Sequence, residues 1–519
     1  MPPTSNRDSR DVIVIGSGIG GLCCGALLAR YGYHVTLCES HAIAGGAAHG
    51  FERNGYIFDS GPSLYSGMSY RGSTNPLRHV LDAVGEGDTV TWASYDTWGV
   101  RIPEGDFDTT VGNDQFADVL RTLRGEAAVK EWRRLQKAMV PLGKAATALP
   151  PAALRLDLGA LQTVAPYVWD LLRNALALTQ SSQPFSTVLD RTTRDPFIRH
   201  WMNLLCFLLS GLPAEGTSTA EMAFMFAEWY RPGVTLDYPI GGSAALVNAL
   251  VRGLENHGGT LRLGAHVEEI LVEKGRAAGV TLRSGETLKA STVISNASIW
   301  DTLKLVPEGA LPKAFVEERG ATPECPSFLH LHLGIDGAGL PADLACHYIT
   351  VEDWERGIDA PQNLIVMSIP TVLDPSLAPP GKHTIHVYTP ATEPYEIWQG
   401  CDRRSPEYAQ LKAERAEPLW QALERVIPDV RQRVEVELVG TPLTHERFLR
   451  CHRGSYGPAI SVQDGLFPGP KTPLEGLLCV GGSTFPGIGL PAVAACGLIT
   501  ANTLATVSQH RQMLQEVLG

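Results

Sequence analysis

The apolar positions of the chain change their spacing along its length, and each spacing predicts a different element. Val12–Ile15 is a short, unbroken, mostly β-branched run, which predicts a buried strand. "LCCGALLARYG" then reads as a helix, and "HVTLCE" as a second strand that ends at Glu39. In the middle of the chain, Pro239 to Gly242 form a turn into an amphipathic helix over Ser243–His257, which Gly258-Gly259 stop. The following residues alternate as short strands separated by glycine turns, as far as Ser298. Residues 101–234 read mainly as helices, among them "EWRRLQKAMVPLGKAATAL" and "DPFIRHWMNLLCFLLSGL". Residues 301–469 carry strands ("FLHLHLGI", "NLIVMSIP", "HTIHVYTP", "VEVELVG") and the helix "EYAQLKAERAEPLWQALERVI". Near the end, "GLLCVGG" is a strand, and a helix of small residues follows with Pro491 in its first position.

Between the first strand and its helix, Gly16, Gly18 and Gly21 form G-x-G-x-x-G, with Gly20 also a glycine. This order of strand, glycine turn, helix and strand binds a dinucleotide. Gly16 permits the tight turn, Gly18 lets a pyrophosphate reach the backbone, and Gly21 lets helix and strand pack closely. The pyrophosphate sits at the positive helix N-terminus. Glu39 stands 21 residues after Gly18, the spacing of an acid that hydrogen-bonds a ribose hydroxyl.

Size and charge narrow the picture. A chain of 519 residues is long for one core and predicts two lobes. A net charge of −12 argues against nucleic acid as a partner. No apolar run reaches membrane-spanning length, and "MPPTSNRDSR" lacks the apolar segment of a signal peptide. The ten cysteines form no CxxC pair, and most sit in apolar runs, the pattern of buried thiols in a reducing compartment. No metal-ligand spacing is found. The apolar stretch "LPPAALRLDLGALQTVAPYVWDLL" reads as core or as a lining or membrane-surface patch for an apolar substrate.

The chain resembles the phytoene desaturase and carotenoid isomerase flavoproteins, and within them the carotenoid isomerase (prolycopene isomerase) branch, nearly end to end. The resemblance is carried by "GSGIGGL" (Gly16–Leu22), "LLCFLLSGLPAEGT" with "AEMAFMFAEWYRPG" (within Leu204–Gly233), "YPIGGSAALVNALVRGLENHGGTLRLGAHVEEI" (Tyr238–Ile270), "GTPLTHERFLRCHRGSYGPA" (Gly440–Ala459) and "GLLCVGGSTFPGIGLPAVAACG" (Gly476–Gly497). It implies an α/β fold: a Rossmann-type, amine-oxidase-like FAD lobe built from 1–100, 235–300 and 470–519, and a mixed-sheet, helix-covered substrate lobe built from 101–234 and 301–469.

The resemblance implies FAD as cofactor. Beyond Gly16, Gly18, Gly20, Gly21 and Glu39, it carries FAD contacts over to Ser40 and to Gly45, Gly46 and Ala47. Relatives often have an arginine before that glycine pair, where this chain has Ala44. Ser60, Gly61 and Pro62 fall in "FDSGPSLYSG", where the family usually reads "FDVGSS" beside the flavin. Val267 matches the residue whose backbone meets the adenine. Gly481 and Gly482 stand where isomerase relatives have Gly-Asp. Leu490, Pro491 and Ala492 would aim a positive helix end at the flavin. The implied reaction is cis-to-trans isomerisation of a long apolar polyene, a carotenoid such as prolycopene, with reduced flavin and no net redox change. Desaturation or saturation of the same substrate class is the alternative, and a non-catalytic isoprenoid-binding flavoprotein a third reading. Glu228, Arg453 and Tyr456 are the polar candidates for the substrate pocket, with no catalytic acid or base assigned. The implied location is the cytoplasmic or plastid stromal side, peripherally on a membrane surface.

Overall fold

Five short parallel strands form the sheet on which the glycine motif stands. Their order is Thr260–Arg262, His34–Cys38, Asp11–Ile15, Thr292–Ser295, Leu477–Cys479. The computed structural model describes residues 10–61, 63–112 and 114–519. Pro62 and the residues before Arg10 therefore lie outside the described residues. The central strand is buried on both faces, as a parallel sheet requires, and this explains its unbroken apolar run. The helix Ile19–Arg30 covers one face and is buried from Ile19 to Ala29.

The C-terminal helix Leu490–Leu504 packs directly on that helix. A Cβ at Gly497 would lie 2.5 Å from the Gly20 carbonyl oxygen and 2.9 Å from the Cys24 nitrogen. The small residues of this helix are thus needed for backbone contact. Pro491 is its second residue, not its first, because the helix begins at Leu490 behind Gly489. Proline is tolerated there for the same reason, since the first-turn N–H groups have no partner within the helix.

A seven-stranded mixed sheet forms the second lobe. Its order is Val434–Gly440, Ser327–Asp336, Lys382–Glu393, Leu364–Ser368, His347–Val351, Thr97–Ile102, Gly105–Thr110. Period-two alternation gives the Ser327–Asp336 strand two unlike faces. Leu329, Leu331, Leu333 and Ile335 are fully buried in one cluster with Leu419, Trp420 and Leu423 of the helix Pro406–Glu424. Phe328, His330 and His332 alternate with those leucines, and their rings meet His386, Tyr388 and His445. Next to the sheet, the helices between Gln115 and Trp229 pack round an aromatic cluster containing Trp98, Phe116, Trp132 and Trp201.

Two readings of the sequence need refinement. The strand Thr97–Ile102 crosses the boundary drawn at residue 100, and with its hairpin partner Gly105–Thr110 it extends the second sheet, in a stretch read mainly as helix. The alternating residues after Gly259 do not form one sheet. Thr260–Arg262 and Thr292–Ser295 join the parallel sheet, whereas Val267–Glu273, Arg276–Leu282 and Thr287–Lys289 form a separate antiparallel one.

Because Gly497 leaves no room for a methyl group, Gly497→Val should destabilise the protein by about 1–3 kcal/mol through overpacking. A lowered thermal unfolding midpoint would show this. An unchanged midpoint would mean that the two helices separate freely.

Candidate cofactor site

A cleft of about 600 Å³ opens where the parallel strands end in their glycine turns. Its walls include Gly16, Gly18, Glu39, Ser40, Gly46, His49, Val267, Asn296 and Arg450. Three loops build it. Gly16, at φ +92°, makes the turn out of the first strand. The Gly45-Gly46 turn presses on this loop: Gly45 bridges to Gly18, and a Cβ at Gly46 would lie 2.9 Å from the Gly18 Cα. Gly481, at φ +93°, closes the third side, and a Cβ there would lie 2.6 Å from Asn296 Oδ1. Gly482 follows it, with Ile488 the nearest neighbour to a Cβ, at 3.4 Å.

Glu39 is buried and does more than face a ribose. Its Oε2 accepts from the Ser17 N–H at 2.8 Å and the Ser17 hydroxyl at 2.6 Å, and Oε1 accepts from the His41 N–H at 2.7 Å. The Ser40 hydroxyl makes the longest of these bonds, 3.3 Å, and is the one that a ribose hydroxyl most readily replaces. The carboxylate therefore also ties the second strand to the glycine loop.

Asn296 was not singled out from sequence. It follows the strand Thr292–Ser295, and its side chain lies within 4 Å of where a Cβ would sit at Gly16, Gly18, Gly20, Gly21 and Gly481. Its only local signal is an amide directly after a β-branched run, which marks many ordinary strand ends. Arg450, at φ +52°, reaches the same cleft from the second lobe.

Ala47, Ser60 and Gly61 form the adjoining edge. The Ser60 hydroxyl donates to the Ala47 carbonyl at 3.0 Å, and a Cβ at Gly61 would lie 2.4 Å from that same oxygen. The helix Leu490–Leu504 begins with no side-chain cap and no acid in its first turn, so Leu490, Pro491 and Ala492, which are not among the cleft's lining residues, carry an uncompensated positive end.

The three polar candidates separate. Tyr456 meets the ring of Phe328 edge-on at 5.2 Å, and burial pushes its phenol up to about 12. Arg453 pairs with Glu324 at 2.9 Å and with Glu396, and lies over the Tyr395 ring. Glu228 accepts from the Thr74 hydroxyl at 2.6 Å, beside the loop at Gly67, and lines no part of the cleft.

A group of histidines lies beyond the cleft-lining His49; sequence reading placed His330, His332 and His386 only on strands and gave His445 no role. His330 Nδ1 is 2.6 Å from His386 Nε2, and His330 Nε2 is 2.6 Å from His445 Nε2. His332 Nε2 donates to the Asp59 carbonyl at 3.1 Å. Burial, reinforced by the neighbouring rings, holds His330 and His386 well below the usual histidine range, and burial chiefly brings His332 and His445 to about 4. All four are neutral at pH 7. The sequence signal was His at i and i+2 in an apolar strand, which puts two imidazoles on one face.

The cleft suits a dinucleotide on its own geometry. Glycines stand where a Cβ would fill the cradle, a helix N-terminus opens on it, and Glu39 and Arg450 supply the hydroxyl acceptor and the positive charge.

Comparison with known proteins agrees. The family model for flavin containing amine oxidoreductase matches residues 19–504. A chloroplastic prolycopene isomerase of an Oncidium hybrid is 33% identical over 95% of this chain and 84% of its own, and the Arabidopsis thaliana protein of that name is 32% identical over 95% and 82%. The phytoene desaturase (neurosporene-forming) of Cereibacter sphaeroides is 26% identical over 99% and 98%. Among solved structures, an oxidoreductase from Methanosarcina mazei superposes with TM-score 0.61 at 21% identity, covering 94% of this chain and 99% of its own. Putrescine oxidase bound to putrescine superposes with TM-score 0.61 at 16% identity, covering 95% and 98%. This chain is a flavoenzyme that belongs to the flavin containing amine oxidoreductase family, in its carotenoid isomerase branch.

Proposed function

We propose that the protein binds FAD and converts a cis carbon–carbon double bond of a long polyene, a carotenoid such as prolycopene, to trans without net redox change. The observation that carries this reading is the likeness to prolycopene isomerases over 95% of the chain. The local chemistry supports it. Beyond the cleft, the wall formed by Phe328, Tyr388 and Tyr456 is aromatic, and the histidines set among these rings are neutral. A hydrocarbon offers no polar handle, and a charged group facing it would be costly to desolvate.

Bound in its reduced state, FAD would supply the electron density that lowers the order of a double bond. Gly16, Gly18, Gly45, Gly46 and Gly481 admit its backbone-close stretch. Ser60 and Gly61 would border its ring system and Val267 its adenine, and the uncapped start of Leu490–Leu504 would favour negative charge on it.

Substrate of this kind resides in lipid, so we assign a lipid surface as partner, on the cytoplasmic or stromal side of a membrane. No helix among the described residues is long and apolar enough to cross one. The short helices from Ala160 to Ser181 instead expose Leu161, Trp169, Leu172 and Leu176, with Leu158 just before them, at 59–87% of their surface. The apolar stretch read from sequence as core or surface patch thus places these large side chains in solvent.

Three outcomes test the reading. Gly18→Val should lose FAD, since its Cβ would lie 2.7 Å from Asn296 Nδ2 and fill the pyrophosphate's place; a folded variant with full flavin absorbance would refute the cofactor assignment. Under anaerobic reducing conditions, wild-type protein should convert prolycopene to a product of unchanged mass. A product differing by two hydrogens would instead show desaturation or saturation. Leu161→Asp with Trp169→Asp should weaken co-sedimentation with liposomes at least about tenfold, because each large apolar side chain contributes roughly 1.5–3 kcal/mol when buried. Equal binding by variant and wild type would remove this patch as the docking surface.

A further inference from the structure

We infer that His445, His330 and His386 form a proton-conducting wire that ends beside the substrate, a role that rests on the polyene reading above. Three features of the geometry carry this.

The first is alignment. The His330–His386 and His330–His445 rings are nearly coplanar in orientation, at 20° and 12°, with centroids 4.9 and 4.6 Å apart and nitrogens 2.6 Å apart in each pair. Such centroid separations are those of two imidazoles lying edge to edge across a hydrogen bond. They are not those of rings stacked face to face, as His332 and His386 are at 4.2 Å and 7°. His330 uses both its nitrogens in this way and so links the other two.

The second is protonation. A neutral imidazole has one N–H and one bare nitrogen. Two consecutive N–H···N bonds therefore run in one sense, either from His445 inward or from His386 outward. Burial keeps all three rings uncharged, so these two patterns are the accessible states of the chain.

The third is the pair of ends. His445 is half-buried on the helix Pro442–Leu449, next to Glu446 of the cleft wall. His386 is buried between strands, and its Nδ1 has no hydrogen-bond partner. The wire has an outer end next to the cleft wall and an inner end whose last nitrogen, His386 Nδ1, is buried with its hydrogen-bonding capacity unused.

The nitrogens of His330, His332 and His386 also lie within 4.8 Å of one another, as metal ligands do. His330 Nδ1 and His386 Nε2 point at each other across 2.6 Å, however, one donating to the other, and not at a common point, so a hydrogen-bonded chain describes the cluster better than a metal site.

One passage balances as follows. A proton binds His445 Nδ1. The N–H bond at His445 Nε2 breaks as one forms at His330 Nε2, and that at His330 Nδ1 breaks as one forms at His386 Nε2. His386 Nδ1 releases its proton to one carbon of the double bond. Each ring keeps one proton, and the positive charge spreads along the conjugated chain while the former double bond rotates. Return of the proton to His386 Nδ1 restores the double bond; the transfers then run in reverse, from His386 Nε2 to His330 Nδ1 and from His330 Nε2 to His445 Nε2, and His445 Nδ1 releases its proton, which restores every tautomer. No oxidant or reductant is consumed in this cycle.

The test uses FAD-loaded, full-length protein. With ¹⁵N-histidine labelling, wild type should show two strongly downfield ring N–H protons, both lost in His330→Gln. In prolycopene turnover, His445→Ala and His330→Gln should each lower the rate about 10²-fold, the lower range of acid–base contributions. Added imidazole should restore His445→Ala, whose missing ring is half-buried, and leave His330→Gln slow. Absence of the downfield protons, wild-type turnover by His445→Ala, a loss that imidazole fails to restore, or a stoichiometric bound metal that His330→Gln releases would each overturn the wire. Should wild-type protein leave prolycopene unchanged, the functional reading fails by itself, and the spectrum alone decides whether the wire exists.

Discussion

Around the loop Gly16–Gly21, three distant stretches of chain approach at backbone distance: the Gly45-Gly46 turn, the Asn296 corner and the Gly481 loop with the helix behind it. Side chains are almost excluded from this meeting. A Cβ at Gly20 would lie 2.9 Å from the Gly481 Cα, and one at Gly21 would lie 2.3 Å from the Gly16 carbonyl oxygen. The tight approach leaves backbone amides and a helix terminus as the groups that face a phosphate, and these are preorganised donors. It also makes the nucleotide lobe depend on chain ends that are nearly 500 residues apart, because the helix Leu490–Leu504 forms part of the same contact.

The second lobe solves a different problem. Its sheet buries one face against a helix and carries aromatic and imidazole rings on the other. Period-two alternation does both in one strand, with leucines on the helix side and Phe328, His330 and His332 on the other. Imidazole is a suitable compromise for that second face. It is flat and stacks like an aromatic residue, yet it still hydrogen-bonds, so its polarity can be satisfied by other imidazoles and by the Asp59 carbonyl without bringing in charge.

Buried charge is kept away from that face. Glu393, on the same strand as His386, accepts two bonds from Arg415 and one from the Trp398 indole. Arg453 is neutralised by Glu324 and Glu396 at the edge of the wall. A pairing of this kind lets the lobe hold ionised groups while the ring-bearing face of the sheet remains neutral.

The sequence by itself determined the local chemistry of the nucleotide lobe. A β-branched run, glycines at fixed spacing and an acid 21 residues on specify a strand, a turn, a helix and the acid that ends the next strand through backbone conformation and short-range geometry alone. Four strands and the long helix of 301–469 were equally legible, because period-two alternation in "FLHLHLGI" and "HTIHVYTP" is a local signal; the strand His347–Val351 and the helix Pro442–Leu449 were not read from it. Which strands share a sheet was decided only by tertiary structure. The alternating stretch after Gly259 divides between two sheets, and Thr97–Ile102 pairs with a strand some 250 residues later, since pairing partners are chosen by packing across long loops. The same holds for Asn296, which matters through five glycines it meets in space. It holds most for the histidines: His330, His386 and His445 come from two strands and a helix, and a hydrogen-bonded chain through all three exists only once long-range pairing has set them edge to edge.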